Sequence, residues 1–270
     1  MKYTFLLVGL LFSMNIFCQN MLPNSFYIEY PSMTFEFKEN NIIFWESGTL
    51  NRDGSLKEPE KNLVGTYYLE TINGIDFVNV RWDNSQSEKY LILYNNNLCY
   101  LYKNDGYMYF RGFRITNVAP GEFCFTNDYD NVQIESSTYL IEGTINYNTK
   151  NLNDRIGICW AEGVNGNGIN EKLFLRMENA NTLHISTGFV SYNKAYLFME
   201  NSRPKKIKLS VENKYSIIVD LKDTPNFHTI KLPEKLNRNE ILVMEILEVY
   251  PGTKYEDTCI NMILMDESIY

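Results

Sequence analysis

Residues 65–82 read GTYYLETINGIDFVNVRW and contain two strand-length aromatic runs, 65–69 and 77–82, on either side of Asn73-Gly74. Aromatic and β-branched side chains fit the pleated surface of a sheet. An Asn-Gly pair supplies the positive φ angles that a tight hairpin turn requires. The stretch therefore predicts an antiparallel β-hairpin.

The same pattern continues on both sides of this hairpin. Further strand-length runs lie at 35–37, 42–45, 90–94 and 98–102, and turn residues such as Asp53-Gly54, Asn95-Asn96-Asn97 and Asp105-Gly106 separate neighbouring runs. No window of a dozen residues has the spacing of an amphipathic helix. We expect a small antiparallel barrel or meander over residues 19–115.

The periodicity fades over residues 116–135, where Pro120-Gly121 and an acidic, Asn-containing stretch indicate a linker. Strands return beyond it, and residues 136–270 are predicted to form a jelly-roll β-sandwich. The eight predicted strands are 156–160, 172–178, 182–190, 206–212, 215–221, 228–232, 240–250 and 259–265. The whole chain is therefore predicted to be an all-β protein of two domains, in which residues 132–270 can fold alone.

The composition excludes some classes of protein. With 270 residues, 44% hydrophobic and 21% charged, the chain has the composition of a core-forming globular protein. Its formal net charge of −8 argues against a nucleic-acid partner, because phosphate binding requires a cationic face.

The N-terminus has the layout of a secretory signal peptide. Lys2 precedes an apolar run, and we place cleavage after Cys18, so that residues 1–18 are removed. A membrane anchor needs about 20 apolar residues, so no membrane insertion is expected after cleavage and the mature protein is predicted to be secreted, periplasmic or attached to the cell envelope. Four cysteines then remain, and they either form disulfides or stay buried as thiols: Cys99, Cys124, Cys159 and Cys259.

The C-terminal half contains a series of distinctive blocks. NLND at 151–154 comes first, followed by WAEG at 160–163, GNGINE at 166–171, TGF at 187–189, NSRPK at 201–205 and VYPGTKYEDTCI at 249–260. In these blocks the chain resembles the NADase-type glycan-binding or NAD glycohydrolase translocation domain, a discoidin-like, F5/8 type C-like family. The resemblance implies a galactose-binding-like sandwich whose end loops contact glycans, usually as a non-catalytic accessory module.

The candidate glycan site lies on two loops and on one later residue. Glycines near Asn165 and Asn167 permit close backbone approach, and Asn and Arg side chains offer multidentate hydrogen bonds to a polyol. The ten predicted ligand-binding residues are Trp160, Glu162, Asn165, Asn167, Glu171, Asn193, Tyr196, Asn201, Arg203 and Asp257.

Structural roles stay open for several of these residues. Trp160 is either a stacking platform for a sugar or part of the core. Glu162 and Glu171 either accept sugar hydroxyls or pin the backbone amides of the loop. Arg203 is either a ligand donor or the partner of Asp257 in an ion pair that locks two loops.

No pattern in the sequence predicts a cofactor, a metal site or catalysis. The two histidines are isolated, and Ile156 and Met262 stand where a calcium site of the discoidin type needs oxygen ligands. The protein is therefore predicted to be non-catalytic. Two alternatives remain: a hydrolase with its site in the N-terminal domain, around Trp45, Trp82 and Glu88, or a structural or adhesive envelope protein.

Overall fold

The computed structural model describes residues 25–27, 33–38, 41–46, 60–95, 98–114, 132–152 and 155–266. The predicted signal peptide, Cys124, Asp53-Gly54 and most of the predicted linker lie outside the described residues. The side chain of Trp45 also lies outside them.

The N-terminal half is a closed antiparallel barrel in which each strand pairs with the next along the chain. Pairing of the last strand with the first, Phe26 opposite Arg114, closes it. This confirms the predicted barrel, and Asn73-Gly74 forms the tight turn between the fourth and fifth strands with positive φ at both residues. The eight strands are Ser25–Tyr27 (β1), Met33–Lys38 (β2), Asn41–Glu46 (β3), Glu60–Ile72 (β4), Ile75–Trp82 (β5), Ser87–Tyr94 (β6), Leu98–Tyr102 (β7) and Met108–Arg114 (β8).

The C-terminal half is a sandwich of a four-stranded and a five-stranded sheet, as predicted, with an additional two-stranded hairpin. A helix, Tyr196–Glu200 (α1), and a 3-10 turn, Thr149–Asn151, interrupt the strands. The eleven strands are Gln133–Ser136 (β9), Ile141–Glu142 (β10), Ile145–Asn146 (β11), Trp160–Ala161 (β12), Lys172–Arg176 (β13), Thr182–Thr187 (β14), Arg203–Val211 (β15), Tyr215–Asp220 (β16), His228–Lys231 (β17), Leu242–Tyr250 (β18) and Cys259–Asp266 (β19).

Several strand bounds differ from the sequence prediction by a few residues, and two differences are larger. β9 begins inside the segment predicted as a linker, and it forms the edge of the five-stranded sheet by pairing with β13. In place of the predicted strand at 156–160, only Trp160–Ala161 is a strand, paired with β19. The Ile156 amide is used instead in a bond to the barrel, which removes it from a sheet ladder.

The four-stranded sheet, in the order β12-β19-β14-β17, packs on both of its faces. On one face Ile263 and Met265 belong to the sandwich core. On the other, Met262 and Leu264 belong to a second apolar cluster that includes residues of β5, β6 and β7. The alternation of side chains along β19 therefore divides it between the two cores, and the molecule has three layers: five-stranded sheet, four-stranded sheet and barrel.

The side chains of the barrel strand β7 alternate in the same way between two apolar clusters. Cys99 and Leu101 of β7 lie in the cluster inside the barrel, whereas Leu98, Tyr100 and Tyr102 lie in the cluster shared with the sandwich. All five residues of β7 are buried. A strand buried on both faces reads as a continuous apolar run, which explains the unbroken LCYLY sequence.

Candidate functional site

A groove of about 600 Å³ lies where the loop end of the sandwich meets the barrel. We call it the groove. It is within the roughly 300–1,000 Å³ range of small-molecule sites. Its lining comes from the β7–β8 turn of the barrel, the β10–β11 hairpin, the segments 155–158 and 189–201, and the residues that precede β19.

Direct bonds fix the barrel turn against the sandwich. The Ile156 N–H donates to the Gly106 carbonyl at 2.9 Å, and the side-chain amide of Asn193 donates to the Asn104 carbonyl at 2.8 Å. Gly106 has φ of +80°, and a Cβ there would lie 2.5 Å from the Ile156 oxygen. Only glycine permits this approach, so the groove has a rigid wall made by the barrel.

Aromatic and acidic side chains of the sandwich form the opposite wall. Burial and the neighbouring Glu142 carboxylate raise the pKa of Tyr147 to about 12. Burial, with smaller contributions from the charges of Glu142 and Glu256, also raises the pKa of Asp257. Phenol, amide and carboxylate groups beside aromatic rings can bind a polyol through hydroxyl hydrogen bonds and through contact with its apolar face.

Two cysteines lie beneath this wall. Cys159 and Cys259 are fully buried free thiols in a small cluster with Ala161. The hydrogen bond that the Cys259 thiol donates to Cys159, together with burial, raises the pKa of Cys259 well above its usual value. Cys99 is also a buried free thiol. These three cysteines are therefore buried thiols and do not form disulfides in the structure.

The glycine-containing loop between Trp160 and Glu171 is held in place by residues that were also candidates for ligand contact. Trp160 is fully buried and its indole N–H donates to the Thr138 carbonyl at 3.1 Å. Glu162 is fully buried and accepts the backbone N–H groups of Val164 at 2.8 Å and Thr258 at 3.2 Å. Burial raises the pKa of Glu162. Trp160 therefore lies in the core, and Glu162 holds the loop to Thr258, directly before β19.

The other residues of this loop follow the same pattern. Glu171 accepts hydrogen bonds from the hydroxyls of Ser137 and Thr138. The Asn167 carbonyl accepts from the Thr258 hydroxyl at 2.7 Å, while Asn165 is exposed. None of the five loop candidates is among the lining residues of the groove.

Arg203 forms an ion pair with Asp223, so the alternative in which it pairs with Asp257 is wrong. The guanidinium Nε lies 2.7 Å from Asp223 Oδ1, and Nη1 donates to the carbonyls of Phe198 and Asn201 at 2.8 and 2.7 Å. Arg203 is 2% exposed. Four of its five N–H donors bond to Asp223, Phe198 and Asn201 and fix the segment between α1 and β15. Arg203 is not among the residues that line the groove.

Three of the ten predicted site residues line the groove: Asn193, Asn201 and Asp257. Tyr196, 45% exposed, lines a neighbouring depression with Phe77 of the barrel. Sequence reasoning missed the lining residues Asp105, Glu142, Tyr147, Arg155 and Lys194. The Gly143-Thr144 pair between two isoleucines was a usable turn signal for the hairpin that carries Glu142.

The barrel residues of the hydrolase alternative form a closed network. The Trp82 indole N–H donates to Glu88 at 2.8 Å, and the Tyr90 hydroxyl donates to the same carboxylate oxygen. The Lys103 ammonium lies 3.9 Å from the other oxygen of Glu88.

Within the described ranges, no group of three or more His, Cys, Asp or Glu residues could hold a metal ion, and no helix there has the length and apolar character to cross a membrane.

Fold and groove together define an all-β protein in which a barrel and a β-sandwich share one interface. The family model described as the NAD glycohydrolase translocation F5/8 type C domain matches residues 125–266, more than half of the sequence. The chain belongs to this family.

Comparison with solved structures gives a distant likeness. The family 32 carbohydrate-binding module of NanJ from C. perfringens, solved in complex with galactose, has a TM-score of 0.37 and 12% identity to this chain. The match covers 50% of this chain and 93% of that chain. No curated protein matches.

Proposed function

We propose that this protein is an exported, non-catalytic accessory protein that binds glycans in the groove. One observation carries the proposal. The groove brings Asn193, Asn201 and Asp257, three residues predicted from the sequence, together with aromatic rings at the loop end of a domain of the F5/8 type C family. Amides and carboxylates next to aromatic rings match the hydroxyl groups and apolar faces of a sugar.

Two features favour binding over turnover. Glu162 and Glu171, the carboxylate pair in the sandwich loop, are held by hydrogen bonds from the protein itself. Glu88 in the barrel is likewise held by Trp82 and Tyr90. A general acid or base must reach the proton that it transfers, and these carboxylates are already used as structural acceptors.

The test is a glycan array with the full chain, followed by titration of the retained glycans. Asp257→Asn is expected to weaken binding about tenfold, because a hydrogen bond to a charged group contributes roughly 1.5–3 kcal/mol and 1.4 kcal/mol corresponds to tenfold. Glu256→Gln is the matched control, since Glu256 is exposed and does not line the groove. Melting temperatures of both variants should equal that of the unmodified protein.

Two results would contradict the proposal. One is that the array retains no glycan, or that Asp257→Asn binds the retained glycans with the same affinity as Glu256→Gln. The other is release of reducing sugar from the bound glycans, which would support the hydrolase alternative. Competition by free monosaccharide distinguishes a sugar site from the adhesive alternative. Free monosaccharide should reduce attachment through a sugar site, whereas it should not change adhesion that uses no sugar site.

A further inference from the structure

We propose that the barrel turn Asn104–Gly106 is part of the ligand site and that Asp105 is a specificity-determining residue for an uncharged saccharide. This inference rests on the proposed function. It assigns a role in recognition to the N-terminal domain, whose sequence predicts only a scaffold or a separate module.

The first step is the position of the turn. The outer face of β7, with Leu98, Tyr100 and Tyr102, is buried against Met262 and Leu264 of the four-stranded sheet. The turn that follows β7 therefore projects over the loop end of that sheet. Apolar packing on this scale fixes the relative position of the two elements, because a well-packed interior does not deform continuously.

The second step is that the turn itself is fixed. In addition to the bonds from Ile156 and Asn193, the Gly106 N–H donates to the Lys103 carbonyl at 3.0 Å. The Tyr107 N–H donates to Asp105 Oδ1 at 3.0 Å. An aspartate that accepts from the backbone two residues later is a common turn-forming arrangement. The Asp105 carboxylate is therefore held in place at the lip of the groove.

The third step is the environment of Asp105. The hydrogen bond that the structure describes for the Asp105 side chain uses Oδ1, and Oδ2 is the oxygen that we assign to a ligand. The Arg155 guanidinium carbon lies 4.3 Å from the centroid of the Tyr107 ring, so a cation and an aromatic ring flank the turn. Sugar hydroxyls are donors that such an oxygen can accept.

The fourth step is the charge of the lining. Three acidic residues, Asp105, Glu142 and Asp257, line the groove together with two basic ones, Arg155 and Lys194. The excess of one carboxylate over the basic side chains gives this lining a formal charge of −1, and the carboxylates stand on both walls, which disfavours an anionic sugar. We therefore expect uncharged, hydroxyl-rich ligands to be preferred to sialylated or uronic ones.

The experiment measures binding of the full chain to polyacrylamide conjugates that carry neutral hexoses or sialic acid. Asp105→Asn keeps an oxygen that can accept the Tyr107 N–H, so the turn should survive. Asp83→Asn is the control, an exposed aspartate at another barrel turn outside the groove. We expect Asp105→Asn to weaken binding of neutral conjugates about tenfold, to reduce the preference over sialylated conjugates and to leave the melting temperature unchanged.

The outcomes separate this inference from the proposed function. If Asp105→Asn behaves like Asp83→Asn while Asp257→Asn loses binding, the site belongs to the sandwich alone and the inference is wrong. If neither Asp105→Asn nor Asp257→Asn loses binding, or if no conjugate binds, both are wrong. Asp105→Ala, which also removes the turn bond, should lose at least as much binding as Asp105→Asn, and a smaller loss would overturn the assignment.

Discussion

Replacing Phe198 with alanine tests whether the barrel and the sandwich are held together as one unit. The Phe198 ring is 1% exposed and lies between two glycines, Gly74 of the barrel and Gly188 of the sandwich. A Cβ at Gly74 would lie 2.9 Å from this ring and one at Gly188 would lie 2.6 Å from it. The Arg203 guanidinium is 4.9 Å from the ring centroid. Phe198 therefore fills a site made by both halves.

The expected loss follows from this burial. Truncating a buried Phe to Ala costs roughly 3–5 kcal/mol, which includes the cavity left behind. Loss of about 4 kcal/mol should lower the melting temperature by about 8–16 °C, because 1 kcal/mol corresponds to about 2–4 °C for a chain of this size. Phe198→Ala and the control Met199→Ala, on the same helix but 36% exposed, are compared by thermal denaturation followed with circular dichroism.

The reasoning is refuted if Phe198→Ala melts within about 2 °C of the unmodified protein, which corresponds to less than about 1 kcal/mol. It is also refuted if Met199→Ala causes the same loss. Either result means that the two halves do not close around this ring in solution.

Three further predictions concern stability. Arg203→Ala should lower the free energy of unfolding by about 2–3 kcal/mol. This is less than the 3–5 kcal/mol of a fully buried pair, because the Asp223 side chain is 35% exposed. Arg203→Lys should recover part of this loss, and the prediction is contradicted if urea denaturation shows no difference among the two variants and the unmodified protein. Burial lowers the pKa of His228, whose Nε2 accepts the Lys222 N–H. The stability that neutral His228 contributes is therefore fully present above about pH 6.5, the pKa of an unfolded histidine. This contribution falls as the pH drops toward the pKa of His228 in the folded protein. His228→Gln should therefore reduce the loss in melting temperature between pH 7 and pH 5, and an unchanged loss would be evidence against this role. EDTA should leave the melting temperature unchanged, whereas a clear drop would reveal a bound structural cation.

The fold was largely predictable because its signals are local. Asn73-Gly74 and the period-two runs on either side of it are sufficient to predict a hairpin. The packing of the barrel on the sandwich was not predicted, although LCYLY at β7 has the continuous apolar pattern of a strand buried on both faces. The pattern does not identify the covering element: Tyr102 contacts Met262, 160 residues away, and no local rule connects them.

The site was predictable only in part because strand register decides which face a residue occupies. Trp160 pairs with Ile260 and points into the sandwich core, whereas Ala161 pairs with Cys259 and both line the groove. A shift of one residue exchanges the two faces, and the sequence alone does not fix that register. Asp105 could not be found from the sequence for a different reason, since its place at the site depends on how two domains pack together.

The two-sided burial of β7 has a consequence for the order in which the chain is made. Translation runs at about 5–20 residues per second, so the 160 residues between Tyr102 and Met262 take about 8–32 seconds. During that time the nascent barrel has Leu98, Tyr100 and Tyr102 on its surface without the strand that covers them. Among the described strands β19 comes latest in the chain, and its Met262 and Leu264 join the cluster that covers these three residues. A chain truncated before β19 is therefore expected to expose part of this aromatic face to solvent.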